Sequence, residues 1–374
     1  MHYFTFADKD TTLYQASSSL NAGLDEVLEI RKDISDTGAT INASRILIKF
    51  DLSYISSSIV AGTIPVPSTA GSRYYLNLYD AHPSGLATSQ VLYAHPVSGS
   101  WTMGDGHSYD NPVTTEGSSW TYRYGKIAGT LWLNTVSASG GQWFSGSGYE
   151  ASQSFNHKTT DVRMEVTDIV KSWLNDSLVN EGFMIKRSGS IGNVNTGSDE
   201  GDTTRYGNFS FFSTDTHTKY PPTLETVWDD SKWTTGSLSP LTGSALEDSV
   251  LYMKGLRPEY KEKSKVRFRV VGRERFPTKT YSTTPSNLTV KYLPSTASYY
   301  SIVDAETDEV VVPYGSGSKL SCDSVSSYFN LWMDGYQPER YYKIEYRVRS
   351  GSGTVDEIDQ YFDEGFTFKI NRQG

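Results

Sequence analysis

The chain has 374 residues, 37% of them apolar, 13% aromatic and 21% charged, with a formal net charge of −9. That balance suffices for one or two packed cores and excludes a disordered, collagen-like or coiled-coil chain. The acidic surplus argues against a general nucleic-acid binder, and the single cysteine, Cys322, excludes an intrachain disulfide and a cysteine metal cage.

The opening MHYFTFADKDTT has neither the basic start nor the apolar run of a signal peptide, and no window approaches eighteen apolar residues. The expectation is a chain made in a cytoplasm and not inserted in a membrane. Short β-patterned runs separated by Gly, Ser, Asn and Pro clusters follow. In SRILIKFDLS, Ile46, Ile48 and Phe50 fall on one face, while Arg45, Lys49 and Asp51 fall on the other. In RYYLNLYD, Tyr74, Leu76 and Leu78 alternate against Tyr75, Asn77 and Tyr79. Gly- and Ser-rich stretches then carry Trp101, Trp120, Trp132 and Trp143. They are core anchors in the bland reading, and a sugar-stacking or docking surface if exposed.

The stretch VRMEVTDIVKSWLNDSLVNEGFMIK contains the one persuasive amphipathic helix. Val166, Ile169, Val170, Trp173 and Leu174 share a stripe, Thr167 is the expected cap, and Asn175, Asp176 and Ser177 stop the helix after about two turns. So short a helix needs a sheet to cover. The loop GSDEGDTTRYG then offers Asp199, Glu200 and Asp202 either as an exposed polar turn or as oxygen ligands for a structural calcium.

The series SRILIKFDLS, SWTMGDG, EGSSW, VTDIVKSWL, NEGFMIKR and YPPTLETVW, in that order within residues 1–232, resembles the DNRLRE-type β-sandwich domain. That family has an arginine and a lysine framing a KFDLS-like strand, a tryptophan-bearing loop, a D-V-T-x-x-V-x-x-W-like helix and a closing P-x-L-x-V strand. Here Glu165 stands where the family usually has an aspartate, so the carboxylate is kept. The resemblance implies a jelly-roll or Greek-key-like sandwich used as a carbohydrate-binding or adhesive module. The whole chain is similar to structural proteins of contractile-tailed phages that infect cyanobacteria. That similarity implies a non-enzymatic tail, neck or baseplate component of the virion, with other virion proteins and symmetric copies of itself as partners. A module for host-surface glycans is the alternative.

A polar stretch, residues 233–246, reads as a linker, and residues 247–374 read as a smaller immunoglobulin- or fibronectin-like sandwich. In GYQPERYYKIEYRV, a Pro-containing turn leads to a strand with Tyr342, Ile344 and Tyr346 in register. Residues 1–232 hold 16 Lys and Arg against 25 Asp and Glu, whereas residues 233–374 hold 18 of each. Within that neutral half, SKVRFRVVG turns Lys265, Arg267 and Arg269 outward as a ladder of like charges. It reads either as a solvated or edge-protecting face, or as a docking stripe for an acidic partner.

No nucleophile elbow, phosphate loop or H-E-x-x-H motif occurs, and His2, His82, His95, His107, His157 and His217 stand singly. Beyond the calcium candidates, no cofactor is expected, and no residue is singled out as catalytic.

Overall fold

The structure, a computed structural model, describes every residue except 37, 39, 69, 110–115, 126–128, 133–139, 157–158, 190–197, 242–248, 277–280, 282–289, 351–357 and 373–374. His157 and residues 242–246 of the expected linker lie outside the described residues. The fold is all-β, of sandwich type, with two eight-residue α-helices among the described residues, Ser53–Val60 and Thr167–Leu174. The chain divides into a unit Thr5–Thr226 and a unit made of Met1–Phe4 with Val227–Gly374. The first has 15 Lys and Arg against 23 Asp and Glu, the second 19 against 20, so the surplus of negative charge sits in the first.

Val27–Ile30 pairs with Phe209–Phe212 and Tyr122–Tyr124 with Thr130–Leu131 in separate two-stranded sheets, while most strands of the first unit build a nine-stranded sheet. Its order is Val162–Glu165, Arg73–Leu78, Thr223–Val227, His2–Tyr14, Ile41–Phe50, Phe183–Lys186, Ser89–Pro96 and Ala151–Asn156, and Lys32–Ile34 also pairs with Ile41–Phe50. The two end strands are consecutive in the chain. Gln153 joins them with its side chain, accepting from the Arg163 N–H at 2.8 Å and donating to the Asp161 carbonyl at 2.9 Å.

Alternation in Arg73–Leu78 follows the sequence pattern, with Tyr74, Leu76 and Leu78 fully buried. The strand Ile41–Phe50 departs from it. Ile46, Ile48 and Phe50 face a core as expected, but Arg45, expected on the opposite face, is also fully buried, and so is Leu47 two residues on. The reason is a second core: Leu13, Ala43, Leu47, Val97 and Met184 on the sheet's other face pack against Trp101, Trp120, Trp132 and Trp143. A strand covered on both faces loses its polar side.

The helix Thr167–Leu174 buries Ile169, Val170 and Trp173 as its stripe required. Trp173 meets Phe183 edge-on at 4.7 Å, and Phe183 meets Phe50 at 6.1 Å. Thr167 does not cap. Its hydroxyl accepts from the Tyr74 N–H at 3.1 Å and donates to Glu165 at 3.2 Å, tying the helix start to the neighbouring strand. The other helix, Ser53–Val60, was not legible, because SYISSSIV has no apolar stripe and buries only Ile55 and Ser58. Asp51 stabilises its start, accepting from the Ser53 N–H at 2.9 Å.

In the second unit a six-stranded sheet, centred on Lys265–Glu274 and Ser327–Trp332, faces a five-stranded one centred on Tyr341–Ser350. Phe268, Val270, Phe329 and Leu331 from one sheet meet Tyr300, Ile302, Tyr342, Ile344, Tyr346 and Phe368 from the other. Tyr300 stacks on Phe329 at 4.0 Å between ring centroids. The register of Tyr342, Ile344 and Tyr346 is as the alternation predicted, all three being buried. The stretch 233–246 is not a free linker where it is described. Trp233 bridges to Cys322, Ser239–Pro240 pairs with Lys291–Tyr292, and Leu241 is fully buried. Its Gly, Ser and Thr content signalled irregular backbone, but one leucine and one tryptophan were enough to dock it.

Replacing Trp173 tests the helix anchor. Trp173→Ala empties a site closed by Phe183 and should cost about 3–5 kcal/mol. A thermal melt that leaves the transition unchanged would place Trp173 outside the core.

Candidate functional site

The most chemically loaded place in the first unit is interior. Arg45, on the central strand, gives two hydrogen bonds to Glu200, from Nε at 3.1 Å and from Nη2 at 2.6 Å, and a third from Nη1 to the Gly140 carbonyl at 2.7 Å. Its guanidinium lies over the rings of Trp120 at 4.7 Å and Trp143 at 4.9 Å. Lys186, on the adjacent strand, has its Nζ 4.0 Å from Glu200 and 5.0 Å from the Trp143 ring, and donates to the Gly189 carbonyl at 2.8 Å. All three charged side chains are at most 1% exposed.

Backbone geometry makes this packing possible. Gly140 has φ +102°, and a Cβ there would meet Arg45 Nη1 and the Trp120 ring at 2.6 Å. A Cβ on Gly189 would overlap the Glu200 carboxylate. Both positions therefore require glycine, the first on two counts. Electrostatics follow burial. Desolvation, reinforced by Arg45 and opposed by Glu200, pulls Lys186 down to about 8, and burial together with Lys186 pulls His95 down to about 4. The His95 ring is therefore neutral near pH 7, with Nδ1 3.2 Å from the Tyr149 carbonyl.

This arrangement decides two readings that the sequence left open, against calcium ligands in the Asp199–Asp202 loop and for the tryptophans as core anchors. Asp199, Glu200 and Asp202 do not converge on a cation site, and no three His, Cys, Asp or Glu side chains come together as a metal cage among the described residues. Glu200 is committed to Arg45, and Asp202 pairs with the buried amine of Lys32. Asp199 accepts from the Tyr206 hydroxyl at 3.1 Å. The loop is also pinned by its backbone, with Glu200 N–H to the Ser188 carbonyl at 3.0 Å. The tryptophans form no exposed platform either: Trp101, Trp120, Trp132 and Trp143 are at most 5% exposed. The indole of Trp101 donates to the Glu181 carbonyl at 2.8 Å, and that of Trp132 to the Ser119 carbonyl at 3.0 Å. What opens to solvent beside them is a polar cleft of about 420 Å³ between Tyr93, Trp143, Glu150 and Ser188.

The basic ladder does project outward, from a strand whose Lys265–Phe268 half is paired on one side among the described residues and which is paired on both sides from Arg269. Its charges are partly answered inside the unit. Cross-strand neighbours place Lys265 over Trp332 at 4.3 Å and Arg267 over Tyr328 at 4.3 Å, and Arg267 donates to Asn330 at 3.2 Å. Arg269 is closed by a two-point pair with Asp323 at 2.9 and 2.8 Å. That pair holds the Asp323 carboxyl well below its ordinary range. Aromatic faces and one shared carboxylate, Asp323, therefore answer the ladder within its own unit.

Asp10 had no sequence signal, lying in a strand of mixed polarity. It is fully buried and accepts from the Thr214 N–H at 2.8 Å and the Thr214 hydroxyl at 3.2 Å. Burial outweighs those bonds and pushes its carboxyl up to about 7.

No protein-family model matches the sequence, and no curated protein matches it. Among solved structures, a DUF4785 family protein from Legionella pneumophila aligns at 9% identity and a TM-score of 0.20, over 99% of this chain and 62% of that one. The chain thus spans less than two thirds of that protein, and likeness at this level carries no argument.

Two outcomes are expected. Glu200→Ala leaves two buried cations without their anion and should cost about 3–5 kcal/mol in chemical denaturation, whereas replacing Arg45 and Glu200 together by Met and Leu should cost much less. Equal losses would contradict the paired-charge account. For Asp10 the folded chain holds its proton more tightly than an unfolded one, whose aspartate titrates near 3.9. The group's stabilisation is therefore complete below about pH 4 and lost as pH rises through about 7. Asp10→Asn, a mimic of the neutral acid, should gain about 1–3 kcal/mol on the wild type between pH 4 and pH 8. Parallel stability profiles would refute it.

Proposed function

We propose that this chain is a non-enzymatic structural component of a tailed-phage virion, a tail, neck or baseplate protein held in place by protein–protein contacts. The observation that carries the reading is the use made of the reactive side chains. Arg45 and Glu200, 0% and 1% exposed, are spent on each other beneath the tryptophans, where they fix loops, and Lys186, which also lines the cleft beside Tyr93, is held by Glu200 and the Gly189 carbonyl. Two rigid β units with committed interiors suit a building block. The order of motifs shared with the DNRLRE-type domain and the similarity to phage structural proteins support the same conclusion.

A glycan-binding module is the second reading, favoured by the cleft beside Tyr93 and Glu150. The buried tryptophans leave that cleft without the broad stacking surface such a module commonly uses. Any effect of truncating them would report on folding rather than on a contact.

The test is composition of purified particles. The chain should be present in stoichiometric, symmetric copies, and the purified protein should hydrolyse neither polysaccharide nor peptidoglycan above background. Absence from particles, or a reproducible hydrolysis lost on replacing a pair of carboxylates, would overturn the proposal.

A further inference from the structure

The second unit carries a groove of about 720 Å³ whose walls include Arg257, Lys261, Lys265 and Arg267, all exposed. Among the described residues the only carboxylate lining it is Glu259, which already accepts from Asn371 Nδ2 at 2.8 Å. Arg269, the next outward residue along the strand, is closed by Asp323 and does not line the groove, while Asp323 also stands 3.9 Å from the Arg267 guanidinium, which stays about half exposed.

The groove also runs between two open strand edges. The strand Glu259–Lys261 ends the five-stranded sheet, paired only to Lys369–Asn371 on its inner side. On the opposite wall, Lys265–Glu274 pairs with Ser249–Lys254 only from Arg269 onward. Lys265 to Phe268 therefore have no ladder partner on that side among the described residues. Backbone edges and a surplus of cations together fit an acidic protein surface.

We propose that this groove docks the Thr5–Thr226 unit of a second copy of the chain. That unit holds 23 carboxylates against 15 Lys and Arg, and Glu26, Asp33, Asp51, Asp105, Asp168 and Asp176 are exposed on it. The groove-bearing unit is close to neutral, so the charge contrast exists between different surfaces of identical chains. Such a contact is heterologous, and its repetition generates a ring or a filament rather than a closed dimer. The inference deepens the assembly reading above and rests on it for its biological setting, while the contact itself is testable on the purified full chain.

Sedimentation velocity at ionic strengths of about 0.01 M and about 1 M brackets Debye lengths of about 30 Å and about 3 Å. The wild type should form species larger than the 41.6 kDa chain at low salt and dissociate at high salt. The variant R257E/K261E/K265E/R267E should associate at least about tenfold more weakly at low salt, and K261Q/K265Q should fall between. Unchanged melting of the milder variant confirms that folding is intact. A wild type that stays a single chain at both salts overturns the contact. So does association that ignores salt, or a quadruple variant that associates as tightly as the wild type. A single-chain wild type nonetheless found in stoichiometric copies in particles would overturn this contact and leave the assembly reading standing.

Discussion

The first unit depends on one buried ion pair. Taking Arg45 and Glu200 out of water costs several kcal/mol per ion, and only complete pairing repays it. Completion here needs the Gly140 carbonyl, two indole faces and the Ser188–Gly189 backbone that seats Glu200 and Lys186. These groups come from segments distant in the chain, and each would leave a desolvated charge exposed to nothing if it moved. An apolar core of the same volume could be more stable, but it would tolerate several loop arrangements. The charge pair selects one. The glycines at positions 140 and 189 follow from that selection, since a side chain at either would occupy the space of Arg45 or Glu200.

The second unit solves a different problem with aromatic side chains. Stacked Tyr300 and Phe329 join the two sheets, and Phe268 packs against Phe329 at 5.2 Å and Phe368 at 5.2 Å. On the outside of the same strand the alternation that sends Phe268 inward sends Lys265, Arg267 and Arg269 outward. Trp332 directly opposite Lys265, Tyr328 directly opposite Arg269 and diagonal to Arg267, and Asn330 opposite Arg267 make that ladder tolerable. Arg267, over Tyr328 and 3.9 Å from Asp323, keeps 48% of its side chain exposed, whereas Arg269, closed on Asp323 by two hydrogen bonds, keeps 24%. Which members of a basic stripe remain available to a partner is therefore set by what stands across the strand.

How much of this was legible depended on whether a residue's environment was local. Period-two alternation placed Tyr74, Leu76 and Leu78, and later Tyr342, Ile344 and Tyr346, because each of those strands has one core face and chain-local geometry fixes the other. The stripe of the helix Thr167–Leu174 was readable for the same reason. The helix Ser53–Val60 was not, because its stability comes from where the chain passes and not from its own apolar pattern. Glu200 in a Gly- and Asp-rich loop looked like a solvated carboxylate or a calcium ligand. Nothing in its neighbourhood of the sequence indicates an arginine 155 positions away.

The sequence by itself determined the class of fold, the strand faces that meet a single core, the short helix with its tryptophan anchor, and the surplus of negative charge in the first unit. These follow from side-chain periodicity and composition, which act over a few residues or over all of them. Tertiary structure alone decided that a second layer covers the strand of Arg45, that four tryptophans lie inside and not on a surface, and that Glu200 is a structural counter-ion. It also decided that four cations, and not the fifth, line an open groove. Each of those outcomes turns on desolvation, and whether a charge or an indole keeps its water depends on chain segments brought together only when the sheet closes.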